Sequence, residues 1–424
     1  MFRAIYVLLP RPQSLFIYWA PVLSFISHPV FMDSLVSSRQ RPILSSLFAF
    51  FTNPLARAVG FVFALDSFLF GSWVARIPYI KYSLGLNDAQ LGLALFALPI
   101  GSIAMNPFTG RIIRRFGSAR SSMVGGIGFF LSVLIPINAP DVFLLTLGLL
   151  VMGVFTALLN VSMNTCAANL EKVQGIRIMS TCHGMWSLGG MLGSTFAGLL
   201  IWIDVPASIH MLGVAMVLVI LMLLLQKSLL RIHEEPSPHS VSLARPTRAL
   251  LVLIAIGIAV SMAEGLAFDW SAIYLREIAH STASVSALGF AVFSLAMTAG
   301  RFMGDSIIPR IGQKRLLAIG GLLGGIGLLI AILIPEPTAV MVGFLILGLG
   351  CSLGAPMLYT ASMQIPGTSP AAGLATFATL SFVGFMAGPP IVGFIAQGYG
   401  LPYGLLFVAV LLFASGIISR WARI

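Results

Sequence analysis

The chain has 424 residues, 58% of them hydrophobic and only 9% charged, with a mean hydropathy of +1.00 and a formal net charge of +11. An ordinary soluble domain is about 25% charged, so a water-soluble globular fold is excluded. The positive charge lies in short loops and not on one basic face, which argues against a nucleic-acid partner. Cys166, Cys182 and Cys351 are odd in number and lack paired spacing or nearby histidine clusters, so neither a disulfide framework, a metal site nor a cofactor is expected.

Apolar windows of about 20 residues, each long enough to cross about 30 Å of hydrocarbon, recur along most of the chain. They are read as helices, because backbone exposed to lipid must satisfy its hydrogen bonds internally. The first stretch stands apart. MFRAIYVLLPRPQ is interrupted by Pro10 and Pro12, and the apolar run from Leu15 to Phe31 is short and holds Pro21, His28 and Pro29. A crossing there would invert the parity of everything that follows. Residues 1–54 are therefore expected to be an extension that does not span, with Met32 as a candidate alternative start.

Spans are then predicted near 57–78, 89–110, 121–138, 142–165, 178–202, 208–227, 249–275, 284–304, 316–334, 338–362, 371–396 and 402–420. Arg111, Arg114, Arg115 and Arg120 follow the second span, Lys172 and Arg177 the fourth, Lys227, Arg231, Arg245 and Arg248 the sixth, and Arg310, Lys314 and Arg315 the eighth. The alternate loops carry little beyond Arg76, Lys81 and Arg276. The positive-inside rule puts the basic loops, and both ends of the twelve-helix body, in the cytoplasm.

Between the sixth and seventh spans, KSLLRIHEEPSPHSVSLARPTR is the longest polar stretch and is rich in Pro and Ser. It divides the body into residues 55–228, a linker at 229–248, and residues 249–424. The two halves share landmarks. GRIIRRFG follows the second span and GDSIIPRIG the eighth, with Gly117 and Gly312 separated by 312 − 117 = 195 residues. Trp73 and Trp270 stand 197 apart, so the body reads as a parallel duplication of six helices.

Six plus six helices with a Gly/Arg-rich loop after the second and eighth spans resembles the major facilitator superfamily of secondary transporters. The strings GSWVARIP, LGLNDAQLGLAL, MSTCHGMWSLGG, AEGLAFDWSAIYL and AGRFMGDSIIPRIG are similar to the YbjJ branch of uncharacterised bacterial inner-membrane transporters, placed near the fucose permeases. The resemblance covers roughly residues 55–424. The first loop departs from the family pattern, with Arg114 where an acid is usual, and Val74 stands where the fucose permeases carry a first-helix carboxylate. The resemblance implies an all-α fold of two six-helix pseudo-repeats, in which the first, fourth, seventh and tenth helices line a central cavity.

Glu264 falls near mid-bilayer and Asp269 about one and a half turns further out. A charge at that depth costs at least ~2.5–3.5 kcal/mol on insertion scales, so it needs a partner or a wet cavity. Desolvation disfavours the ionised carboxylate, which makes Glu264 a proton-coupling candidate, with Asp269 as a second. Both also fit a structural pairing with Arg301. Asp66 precedes Trp73 by seven residues much as Glu264 precedes Trp270 by six, so the repeat adds Asp66. Asn160 and Asn164 share one face at i, i+4 and fit either a hydroxylated ligand or interhelical bonds. His183 fits a proton relay or an interface histidine, and Trp186 a ligand-stacking ring or a packing one. Arg111, Arg114, Arg115, Arg301, Asp305 and Arg310 are the cytoplasmic gate candidates, and Arg76 and Arg301 are each long enough to reach the membrane boundary.

The expected function is secondary transport by alternating access, proton-coupled import of a small polar, sugar-like solute, by a monomer of the inner (plasma) membrane. Efflux of an amphipathic compound is the alternative, and a non-transporting membrane sensor is the rival from another class. No enzyme is expected, as HExxH, GxSxG and a Gly-rich phosphate loop are all missing from the sequence.

Overall fold

A computed structural model describes residues 50–233, 245 and 247–422, without the side chains of 305, 306 and 371. The N-terminal extension up to residue 49 and most of the linker lie outside the described residues. Twelve described helices are long and apolar enough to cross a membrane: α1 Pro54–Ser83, α2 Asp88–Phe116, α3 Ser118–Ile137, α4 Val142–Gln174, α5 Met179–Trp202, α6 Ala207–Leu229, α7 Arg248–Glu277, α8 Ala283–Gly304, α9 Gln313–Leu333, α10 Pro337–Ser362, α11 Ala372–Tyr399 and α12 Leu401–Trp421. The chain is a multi-pass membrane protein.

Most ends agree with the hydropathy pattern to within a few residues. The main extension is α4, which continues through the polar sequence CAANLEKVQ and stops at Gly175 in the left-handed conformation, φ 64°. Hydropathy cannot see that end, because those residues leave the apolar core while remaining good helix formers.

Five spans are interrupted; α8 breaks at Ala287 without a nearby proline, and the other four breaks share one cause. A proline ring clashes with the carbonyl four residues earlier and removes one N–H from the ladder. Pro78 follows the end of Pro54–Val74 by four residues, Pro99 the end of Asp88–Leu95, and Pro136 the end of Ser118–Ser132. Pro356 stands four residues after Ser352, where α10 breaks between Pro337–Cys351 and Gly354–Ser362. The break in α10 therefore falls one turn before Pro356 itself.

The duplication is written in the backbone. Gly117 and Gly312 end equivalent helices at φ 85° and 87°, a region closed to side chains with a Cβ. Asn87 and Thr282, also 195 residues apart, each cap the following helix by accepting a backbone N–H three residues on. Within the first half α1 packs on α5 and α6, α4 on α2 and α3; within the second, α7 packs on α11 and α12, and α9 on α10 and α12. Close approach needs small residues in a bilayer, where burial from water no longer drives helices together. At Gly193, an added Cβ would collide with the Phe68 carbonyl of α1, and at Gly384 with the Ile258 carbonyl of α7.

One face carries a cluster of contacts between the halves. Lys81 at the end of α1 bonds Asp88 of α2 and Glu277 of α7, each at 2.6 Å. Tyr82 Oη also donates to Glu277, at 3.1 Å. Ser194 of α5 donates to the Ala287 carbonyl of α8 at 2.5 Å, and Gly92 of α2 lies against the backbone of Pro389 in α11. These are the only ion pairs among the described residues. On the opposite face Arg111, Arg114, Arg115 and Arg310 are exposed, Arg115 lying over the Phe116 ring. The halves are thus latched at the Lys81 face, and the arginines of the opposite loops are exposed.

Candidate functional site

Glu264 lies 16 residues into α7, about 24 Å along a 30-residue helix. It is half-buried, and its Oε1 is buried without a hydrogen-bond partner. Beside it is a cavity of about 190 Å³ enclosed by α7, α10 and α11. Its polar lining is Ser261, Glu264, Tyr359 and Ser381, and its aromatic walls are Phe377, Phe382 and Phe385. Ser381 Oγ is also buried without a partner. Two polar atoms without a protein partner thus face one small cavity, and buried polar groups are otherwise nearly always paired.

Arg301 comes from α8, three residues before the end of its span. Its Nη1 donates to Ser187 Oγ of α5 at 2.8 Å, a bond between the two halves. Glu264, Tyr359 and Cys351 lie within its electrostatic range, yet no ion pair closes onto Glu264. This arrangement leaves the carboxylate attracted to a cation and still open to the cavity. His183, one turn before Ser187 on α5, is exposed, packs edge-on against Phe63 at 5.4 Å and feels the Arg301 charge. Asp305 is on the same helix as Arg301, and its side chain lies outside the described residues.

Asp66 is 2% exposed on α1 and accepts a hydrogen bond from Trp186 Nε1 at 2.8 Å. The two residues, suggested separately by the sequence, form one unit. The Trp186 ring lies 5.8 Å from Phe268, which also meets Phe290 at 4.4 Å, Phe385 at 5.7 Å and Phe70 at 5.9 Å. These rings come from α1, α5, α7, α8 and α11, so they join both halves into an aromatic layer lying between the cavity and the latch.

The remaining suggestions stay apart. Asp269 is half-buried and makes no hydrogen bond or ion pair among the described residues. Asn164 Nδ2 donates at 2.8 Å to the Asn160 carbonyl of its own helix, and Asn160 is exposed. No described hydrogen bond ties either amide to Asp66 or Glu264. No group of three or more His, Cys, Asp or Glu side chains is placed to hold a metal among the described residues.

Two features were not anticipated. Arg76 does not reach to the boundary. It is 6% exposed, donating Nε to His210 Nδ1 at 3.1 Å and Nη2 to the Val205 carbonyl at 2.9 Å. The Lys81–Glu277 latch was legible in principle. The two residues stand 196 apart, the repeat offset, so a pseudo-two-fold along the membrane normal brings them together at equal depth. Comparing the halves for identical residues passes over a pair whose charges are opposite.

The sequence profile of the Major Facilitator Superfamily matches residues 56–366 and 249–424. An uncharacterised MFS-type transporter of Yersinia pestis is 33% identical over 352 residues, covering 82% of this chain and 91% of the relative. Among solved structures, the nucleoside transporter NupG superposes with a TM-score of 0.66 at 15% identity, over 86% of this chain and 98% of its own. A bacterial homologue of the human lysosomal transporter Spinster, inward-facing and occupied, gives 0.65 at 16% identity, over 88% and 97%. These two likenesses are likenesses of fold. With twelve spans in two packed sets of six and a family profile that matches most of its length, the chain belongs to the major facilitator superfamily and is a secondary transporter, not an enzyme.

Proposed function

We propose that the protein couples proton movement to uptake of a small polar solute across the inner membrane, with the solute held between Glu264, Ser261, Tyr359 and Ser381. The observation that carries this reading is the unpartnered Glu264 Oε1 on the wall of the cavity, one helix away from Arg301. A carboxylate that has no fixed partner can exchange a proton or bind a solute donor, whereas a closed ion pair would do neither. Arg301 lies within electrostatic range of Glu264, and Ser187 holds Arg301 in place. Movement of α8 relative to α5 would break that bond and alter the field on Glu264, linking its proton occupancy to the alternating-access cycle. The cavity size suits one ring-sized solute, and aromatic walls beside hydroxyl and carboxylate groups fit a ring with an apolar face and a polar rim.

In this reading the arginine-bearing loops and both ends of the body face the cytoplasm, the Lys81 latch closes the outer face, and the structure is the inward-facing state of a monomer. The solute class on the Phe-rich walls also fits an amphipathic compound moving outward, and the imposed gradient separates the two directions.

The test is solid-supported-membrane electrophysiology on proteoliposomes, with wild type and Glu264→Gln challenged by sugars, sugar acids and amphipathic cations at two pH values. A transient from one solute class that is lost in Glu264→Gln supports the assignment. An unchanged transient in the variant overturns the role of Glu264.

A further inference from the structure

A second cavity, of about 790 Å³, lies on the flank of the first half between α1, α5 and α6. Its walls are apolar. Phe61 and Phe68 of α1, Leu192 and Phe196 of α5, and Val217 and Leu221 of α6 are representative, and several of them are exposed at the lipid-facing surface. Along α6 the lining runs from Ile209 to Leu225, about 24 Å at 1.5 Å per residue, which approaches the full hydrocarbon thickness. The floor includes Gly213, where an added Cβ would meet nothing within 4 Å. That glycine is therefore not there to admit a neighbouring helix, and its missing side chain leaves space.

The end of the groove at the Lys81 face is polar in an unusual way. His210 lines it and is 2% exposed. Its Nδ1 accepts from Arg76, so the ring hydrogen is on Nε2, and Nε2 is buried without an acceptor. Arg76, directly behind, is a buried cation whose bonded partners are a neutral ring and a carbonyl, with no carboxylate paired to it among the described residues. Asp204 is close in sequence to Val205 but is exposed. A buried cation without an anion, adjoining a donor without an acceptor, is a polar site lacking its negative ligand.

We infer that this groove binds an anionic phospholipid, its phosphate accepting from His210 Nε2 and drawn by the Arg76 charge, its acyl chain lying along Phe68, Phe196, Gly213 and Val217. Charge complementarity selects an anion, and the apolar length beyond it selects one bearing a hydrocarbon tail over free phosphate. The site is separate from the cavity beside Glu264 and shares no lining residue with it.

Native mass spectrometry of the full chain, released from detergent containing phosphatidylglycerol, phosphatidylcholine or inorganic phosphate, tests the assignment. Wild type should retain one phosphatidylglycerol at least fivefold more than phosphatidylcholine. Gly213→Leu, which fills the groove and leaves Arg76 and His210 in place, should lose that adduct while keeping the wild-type melting temperature. Arg76→Gln should retain both lipids equally. Equal retention of the two lipids by wild type, unchanged retention in Gly213→Leu, or full occupancy by inorganic phosphate alone would each overturn the proposal. So would a wild-type dimer dispersed by Gly213→Leu, since a second copy would then fill the groove.

Discussion

Asp66 and Trp186 separate two roles that a carboxylate can hold in a membrane. The carboxylate is buried and takes an indole N–H across α1 and α5, so a purely structural role would require the acceptor but not the charge. Asp66→Asn keeps an acceptor oxygen and removes the titratable group. We expect it to melt with wild type in detergent and to alter the pH dependence of solute-evoked currents. Trp186→Phe leaves the buried Asp66 short of a donor and should destabilise by about 1–3 kcal/mol, the usual effect of an orphaned buried polar group. If Asp66→Asn leaves both melting and currents unchanged, Asp66 is packing alone. The individual residues of this site were visible in the sequence because polar side chains stand out in apolar spans. Their partners were not, since whether Trp186 meets Asp66 or a ligand depends on how α1 and α5 rotate about their axes.

For the helices, the readable information lay mostly in hydropathy. It located all twelve spans, since lipid imposes a length, whereas the breaks before Pro78, Pro99 and Pro136 in α1, α2 and α3 were not read from the sequence. Hydropathy missed the end of α4, where Gly175 and not a change of polarity stops the helix. Glycines on α5 and α11 admit close packing, Gly193 against α1 and Gly384 against α7. The first-half equivalent of Gly384 is Gly189, 195 residues earlier and against the Ala64 carbonyl, and Gly193 lies one turn further along the same seam, helix one of each set against helix five. Gly193→Leu should therefore force α1 from α5 and destabilise by at least about 1–3 kcal/mol, as overpacking does. It should register as a lower melting temperature and a smaller yield of monodisperse protein. Gly213→Leu on α6 is the control, having the same substitution with open space before it.

Across the whole molecule, the balance between open and closed faces depends on interactions that exist in only one state. Lys81 is 7% exposed and holds Asp88 within its own half and Glu277 in the other. Only the second bond is lost when that face opens. Glu277→Gln keeps side-chain volume and weakens this bond without abandoning Lys81, which retains Asp88. The expected loss is about 1–2 kcal/mol of preference for the latched state, within the 1–3 kcal/mol, or 5–150-fold, typical of conformational coupling. Replacing Lys81 and Glu277 together by cysteine gives the opposite perturbation. An oxidant should then lock the face and abolish solute-evoked currents, and a reductant should restore them. The native Cys166, Cys182 and Cys351 are buried and make no disulfide, so they leave the reading clean. Spin labels placed across the Lys81 face should show a longer-distance population grow in Glu277→Gln. If that population is unchanged, or if the oxidised cysteine pair still carries current, the face does not open during turnover and the latch is part of the static core. The repeat makes the expectation specific: α1 and α7 are related positions on either side of the pseudo-two-fold, so a bond between them lies at the seam on which the two halves rock.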